Sequence, residues 1–384
     1  MKTEIIKVDD IEQLKIKRGF VACGDIHLFN AYPFNDNTNI ISSRLRDLSN
    51  AFIKVGYASR ALNLPLIING DLIMSGILDF PVEHVLTSML SEFSDLTIYI
   101  NLGNHDLDGK HSVITPLIKY GGNDNHYVIS KPKLFRLDKQ TDMVFIPFCS
   151  EPKTIAILNN QSLSSDKYNI LFIHNSFSQA LFSNDVESKA GINQQLFGKG
   201  RFNDYNLIVA SHIHKYQEIC MGKGFYTSSL IPLDFGERTK EHGFHIINLD
   251  KEIRYFVIPK APKFLYIPIS KLNTLDDEFL KKRVSGNIIR IINDNMNIEL
   301  DKGLIHEKLI NHGAKFVTFK KGYDKERQTE EIIPRHQEKA EAIVSSYSKI
   351  ISRKSGLKIT KIEKSGLKIL AEARTQLAKE SQKR

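Results

Sequence analysis

Several features that would settle the class of this sequence are missing from it. No stretch reaches the roughly eighteen apolar residues that a membrane span requires, so no membrane role is expected. The first residues, MKTEIIKVDDIEQLKIKRG, hold no apolar run of the kind that forms a signal peptide. Cysteine is scarce. Cys23, Cys149 and Cys220 lie far apart, each in or beside an apolar strand-like run, and none belongs to a CxxC pair. That spacing excludes a disulfide framework and argues against structural zinc. Unpaired thiols suit a reducing compartment, and the expected location is cytoplasmic.

Charge is present but unevenly placed. The 384 residues carry a formal net charge of +9. From Lys349 to Arg384 there are eleven Lys and Arg against three Glu, a local net of +8, which leaves +1 for the other 348 residues. A basic tail is a common signature of binding to nucleic acid or an acidic partner, and an equally common property of a solvated end. With 41% hydrophobic residues the remainder can bury a substantial core, and its length suits a large domain plus an accessory piece.

Residues 18–260 alternate short apolar runs with longer amphipathic stretches. RGFVACGD, LPLIINGD, LTIYINLGN, MVFIPF, YNILFIHN, YNLIVASH and FHIINLD read as buried strands. Between the first two, Leu45, Leu48, Phe52, Val55, Ala58 and Leu62 recur at helical spacing. Between the second and third, PVEHVLTSMLSEFSD reads as another helix with Pro81 in its first turn. This order predicts a layered α/β domain over residues 1–260. A small α+β module is expected over 261–323, built from FLYIPI, NIIRIIN and KFVTFKK with helical stretches between them. A basic helical tail is expected over 324–384, with two copies of KSGLKI, at 354–359 and 364–369.

Polar residues cluster where the predicted strands end. Asp25 and His27 follow FVACG, Asp71 follows LIING, and Asn104, His105 and Asp106 follow TIYINLG. His174 ends NILFIH, and His212 and His214 follow LIVAS. Ligand and active-site residues gather beyond the carboxyl ends of strands in layered α/β folds, so these five segments can converge on one cleft. A carboxylate such as Asp71 can bridge two divalent cations and offset part of their charge. Imidazole and carboxamide donors add no charge, so such a site stays positive and attracts phosphate. Residues two apart on an extended strand end, as in Asp25-x-His27 and His212-x-His214, point to one side. The remaining histidines, His242 and His245 among them, lack this context and are expected to be surface or packing residues.

Read in order, these segments resemble the calcineurin-like metallophosphoesterase pattern: D-x-H at Asp25 and His27, GD at Gly70-Asp71, GNHD at Gly103–Asp106, a lone His174, and Ser211-His212-Ile213-His214 where GH-x-H is usual. The resemblance implies a layered β-sandwich flanked by helices and two divalent metals. One metal would rest on Asp25, His27, Asp71 and His214, and the other on Asp71, Asn104, His174 and His212. It further implies that His105 contacts the scissile phosphate and protonates the leaving oxygen, with Asp106 positioning its ring. The mixed oxygen and imidazole donor set suits Mn²⁺, with Fe²⁺ or Zn²⁺ as alternatives.

The segment Phe225–Glu237 (FYTSSLIPLDFGE) resembles the Y-x-GS-x-x-P-x-x-F-x-E signature of the SbcD/Mre11 DNA-repair nucleases, with Ser228 where Gly is usual. That likeness implies a DNA nuclease in which residues 261–323 cap the site. It also implies a homodimer formed through helices near 81–94 and 111–120. The tail helices at 335–351 and 367–378 would bind an SbcC/Rad50-like ABC-type ATPase. The rival readings are a stand-alone phosphodiesterase for small nucleotides and a non-catalytic scaffold of the same fold.

Overall fold

The computed structural model describes residues 11, 14–31, 40–109, 111–121, 123–183, 185–198, 200, 202–238, 241–272, 276–294 and 301–321, together with Thr360, Lys364, Ser365 and Lys368. The expected tail helices, and the KSGLKI copies apart from three of those residues, lie outside the described residues. The chain divides into two compact units, Met1–Gly322 and Tyr323–Arg384, and both sandwich sheets lie in the first.

The first β-sheet is formed by β1 (Gly19–Cys23), β2 (Leu66–Asn69), β3 (Ile98–Asn101) and β4 (His126–Ile129), which run parallel in that order. The second has β5 (Lys133–Asp138), β6 (Thr141–Ile146), β7 (Tyr168–His174), β8 (Leu207–Ser211), β9 (Gln217–Ile219) and β10 (Gly224–Tyr226), in the order β9-β10-β8-β7-β6-β5. β11 (Gly243–Asn248) and β12 (Ile253–Val257) return to the first sheet as an antiparallel pair beside β1.

Alternation along the strands explains how the two sheets stack. Phe20 and Ala22 on β1, Ile170 and Phe172 on β7, and Leu207 and Val209 on β8 share one core between the sheets. Phe172 stacks on Phe145 at 4.6 Å and takes the edge of Phe20 at 5.2 Å. The intervening residues face outward but stay dry, because helices cover them. Val21 and Cys23 pack with α1 (Ser43–Leu62) and α2 (Phe80–Glu92), whereas Leu171, Ile173 and Ile208 pack in a separate cluster on the other side. Strands buried on both faces read as continuous apolar runs, which is why these were legible. The result is the expected mixed α/β sandwich flanked by helices.

The helices start and stop for local reasons. Ser42 caps α1 by accepting from the Leu45 amide, and Asn63 closes it in the left-handed region at φ 51°. Asp79 caps α2 in the same way, with Pro81 in its first turn. Leu45, Leu48, Phe52, Val55, Ala58 and Leu62, at helical spacing, are all buried.

Within the same compact unit, β13 (Phe264–Pro268), β14 (Ile288–Asn293) and β15 (Phe316–Lys321) form a parallel three-stranded sheet. Helices at Asp277–Val284 and Lys302–Asn311 connect them, and Leu280, Val284, Ile289, Ile291, Leu309 and Val317 give this module its own core. Among the described residues, no helix is long and apolar enough to cross a membrane.

Candidate metal centre

The parallel strands of both sheets end at one place. Asp25 and His27 leave β1, Asp71 leaves β2 and Asn104 to Asp106 leave β3; His174 ends β7, and His212 and His214 leave β8. Two buried asparagines hold these ends together. Asn69 donates from Nδ2 to the carbonyls of Ile173 (3.1 Å) and Val209 (2.9 Å) across the sandwich, and its Oδ1 accepts from Asn101 Nδ2 (2.9 Å). Asn101 in turn reaches the Ile146 carbonyl. Five strands, β2, β3, β6, β7 and β8, are thereby tied by two buried side chains.

Backbone geometry at the site is unusual. Asp25, His27, Asp71 and His212 have φ of 50°, 51°, 51° and 97°, although none is glycine. Left-handed conformations cost such residues on the order of 1–3 kcal/mol each and persist where the surroundings over-determine them. Here they turn side chains off the strand ends into a common space. Gly70 is at φ 96°, and a Cβ there would lie 2.0 Å from His174 Nδ1; one on Gly103 would lie 2.1 Å from Asp71 Oδ1. The two glycines of the GD and GNH segments therefore make room for ring and carboxylate.

Three donor groups result, each with ligand atoms within 4.8 Å: Asp25, His27 and His214; His27, Asp71 and His105; Asp71, His174 and His212. His27 Nε2 and His214 Nε2 face each other at 3.1 Å. Asp71 Oδ2 lies 3.6 Å from His27 Nε2 and 3.3 Å from His174 Nε2, between the outer two groups, while its Oδ1 accepts the His105 amide at 2.8 Å. Asn104 Oδ1 completes one side, 3.2 Å from His174 Nε2 and 2.9 Å from His212 Nδ1. Asp25, His27, Asp71 and His174 are buried, and Asn104, His105, His212 and His214 form the half-exposed face above them.

The electrostatics suit a cation. Burial pushes Asp25 up to about 6, whereas for Asp71 burial is outweighed by His174 and His27, which hold it well below the usual carboxylate range. Burial also drives His27 well down and His212 to about 3. It acts the same way on His214 and His174 but is overcome there by Glu237 and Asp71 respectively, so each ends raised to about 9. Two buried carboxylates thus draw protons onto two imidazoles for want of other positive charge. Divalent cations among these oxygen and nitrogen donors would replace those protons, so the residues fit a metal centre.

Asp106 departs from its expected place. Its carboxylate oxygens accept the Gly103 amide (2.8 Å) and the Ile73 amide (3.1 Å). The His105 ring is held instead by Nδ1 donating to the Met74 carbonyl at 2.7 Å. Side chains of adjacent residues diverge, and the tight GNHD turn folds Asp106 back under the loop. Asp106 supports the loop that presents Asn104 and His105.

A model of the calcineurin-like phosphoesterases matches residues 19–239, more than half of the chain, and spans every donor described. The chain belongs to the calcineurin-like phosphoesterase family. Members of this family are metal-dependent phosphoester hydrolases built on a dimetal centre, and the paired donor groups sharing Asp71 are the corresponding feature here. Among solved structures, the chain is similar to a dimetal phosphatase from Danio rerio, with 12% identity and a TM-score of 0.38, over 61% of this chain and 93% of that one. Comparison with curated proteins gave no match.

Two supporting residues of this calcineurin-like centre were not singled out by sequence reasoning. Glu237, buried, accepts from His214 Nδ1 at 2.7 Å, which leaves Nε2 turned toward Asp25 and His27. His242, expected to be a packing residue, lies under it, with Ser229 Oγ 2.8 Å from its Nδ1. Ser229 also donates to Glu237 Oε2 at 3.1 Å. The Glu that ends the Phe225–Glu237 signature was the available signal. The two departures from the resembled patterns are accommodated locally. Ser211 Oγ pairs with Thr227 Oγ1 (2.7 Å) against Gly24, and Ser228, at φ 65°, pairs with Tyr255 OH (2.9 Å).

Proposed function

We propose that this chain is a Mn²⁺-dependent DNA nuclease that hydrolyses phosphodiester bonds, as the nuclease subunit of an SbcCD/Mre11–Rad50-like assembly. The observation that carries the reading is the Phe225–Glu237 segment. It resembles the signature of those nucleases, it supplies the Glu237 carboxylate that orients His214, and the small module packs on it through Phe235. A phosphodiesterase for small nucleotides has little need of a second module at that position or of a basic tail.

Asp25, His27, Asp71 and His214 would hold one metal, and Asp71, Asn104, His174 and His212 the other. Bound there, the metals would supply Lewis-acid activation and offset charge on the phosphate. The protein's own part is to place and to protonate. The half-exposed face of Asn104, His105, His212 and His214 receives the phosphate. His105, with Nδ1–H tied to Met74, in its imidazolium form gives the Nε2 proton to the leaving oxygen as the P–O bond breaks, while water supplies the hydroxyl that remains on phosphorus and its second proton restores the imidazolium. Purified protein with Mn²⁺ is expected to degrade linear duplex DNA and to leave cyclic nucleotides intact. The reverse preference would replace this reading with the small-nucleotide one.

A further inference from the structure

The segment that carries Glu237 lies between β10 and β11, outside both sheets. Three contacts bear on its position: two grip the segment itself, and one ties α1 to the small module that holds it. The guanidinium of Arg44 on α1, 1% exposed, donates from Nη2 to the Pro232 carbonyl at 2.5 Å and lies 5.6 Å from the Phe264 ring of the small module. One turn further along α1, Asp47 pairs with Lys315, the residue before β15. Phe235 receives the second grip. It stacks on Tyr266 of β13 at 5.3 Å and 10°, and Arg290 of β14 places its guanidinium 3.8 Å from the ring centroid. Within the segment, the Leu233 amide donates to Glu237 Oε2 at 2.9 Å, so Glu237 moves only as the segment moves.

We infer that Arg290 is a positioning residue for the metal centre: through Phe235 and Glu237 it fixes the His214 imidazole, so that the small module sets the metal affinity of one half of the site. The inference rests on the binuclear reading given above. Glu237 fixes which nitrogen of His214 is free to bind. The other metal group, Asp71 with Asn104, His174 and His212, is oriented instead by Asn69 and the strand ends. Loosening Arg290 should therefore weaken one site and spare the other. Loss of a partner behind a metal-binding His typically costs 10–100-fold in affinity. A cation over an aromatic face contributes about 0.5–2 kcal/mol, so an effect toward the lower end, about tenfold, is expected.

The test is calorimetric titration of Mn²⁺ into the metal-free, full-length protein, with circular dichroism to verify folding. The unsubstituted protein is expected to bind two ions; fewer than two would overturn the binuclear reading itself. Given two, Arg290→Ala should weaken one ion about tenfold and leave the other unchanged. Arg290→Lys should restore most of the loss, and a Lys variant as weak as Ala would contradict a role for the cation. Phe235→Leu, which removes the ring but little volume, should reproduce the selective loss and serves as the test if Arg290→Ala does not fold. Unchanged affinity at both sites, or equal weakening of both, would overturn the proposal.

Discussion

His105 shares a donor group with His27 and Asp71 and belongs to neither of the two outer groups. Its ring meets that of His27 edge-on at 4.8 Å, while its Nδ1 is committed to Met74. His105→Ala should keep two bound metals and lose about 10²–10⁴-fold in turnover, the usual range for an acid–base group. Metal counting by elemental analysis checks this, and loss of one ion would make His105 a ligand. At this scale the candidate donors were legible, because Asp25, His27, Asp71, Asn104, His174, His212 and His214 each end an apolar run and the fold brings such ends together. The work of Asn69 and Asn101 was not, since it depends on contacts across 45 to 140 positions of sequence that no local pattern encodes, and Glu237 was marked only as the end of a resembled signature, without its partner His214. The resemblance implied that Asp106 positions the His105 ring; its carboxylate accepts the Gly103 and Ile73 amides, which no pattern in the motif announces.

Among the elements, the buried strands were readable and the marginal ones were not. β5 is an edge strand with no buried residue, and β9 and β10 have three residues each, too few for any periodicity to register. β11 carries a further surprise. His245 is fully buried there against Phe225 at 4.2 Å and Tyr255 at 4.8 Å, and neither ring nitrogen has a hydrogen-bond partner among the described residues. Packing was the expected role, and burial holds the ring neutral, pushed down to about 3. Below the ordinary His pKa of about 6.5 the unfolded chain binds a proton that the folded one refuses, so this position loses stability as pH falls from about 6.5 toward 3. His245→Phe should therefore be as stable as the parent or more so at pH 7. As pH falls, it should gain on the parent by on the order of 1 kcal/mol per unit, read from urea unfolding. Equal acid sensitivity in the two proteins would refute this.

For the molecule as a whole, the proposed assembly makes two demands. Phe80 at the start of α2 is 70% exposed and Ile77 just before it 75%, an apolar surface that pairing across a two-fold axis would cover. The chain is expected to be a dimer by light scattering at tens of micromolar, and Phe80→Glu to be a monomer; a monomeric parent protein would count against the homodimer. The basic tail is the proposed grip on the ATPase. Removing residues 335–384 should abolish co-purification with that partner and leave Mn²⁺-dependent cleavage of short single-stranded DNA intact. Retained ATPase binding would sink the tail's assigned role.

All of this depends on one shared carboxylate. Asp71 Oδ2 lies between His27 and His174, where a single side chain can serve both proposed donor sets. The most direct measurement is the metal content of the protein and of Asp71→Asn after equilibration with Mn²⁺ and removal of free ion. Two ions per chain are expected in the unsubstituted protein and fewer than one in the variant, whose hydrolytic activity is lost with them. A single ion in the unsubstituted protein, or two retained by an active Asp71→Asn, would contradict the binuclear centre.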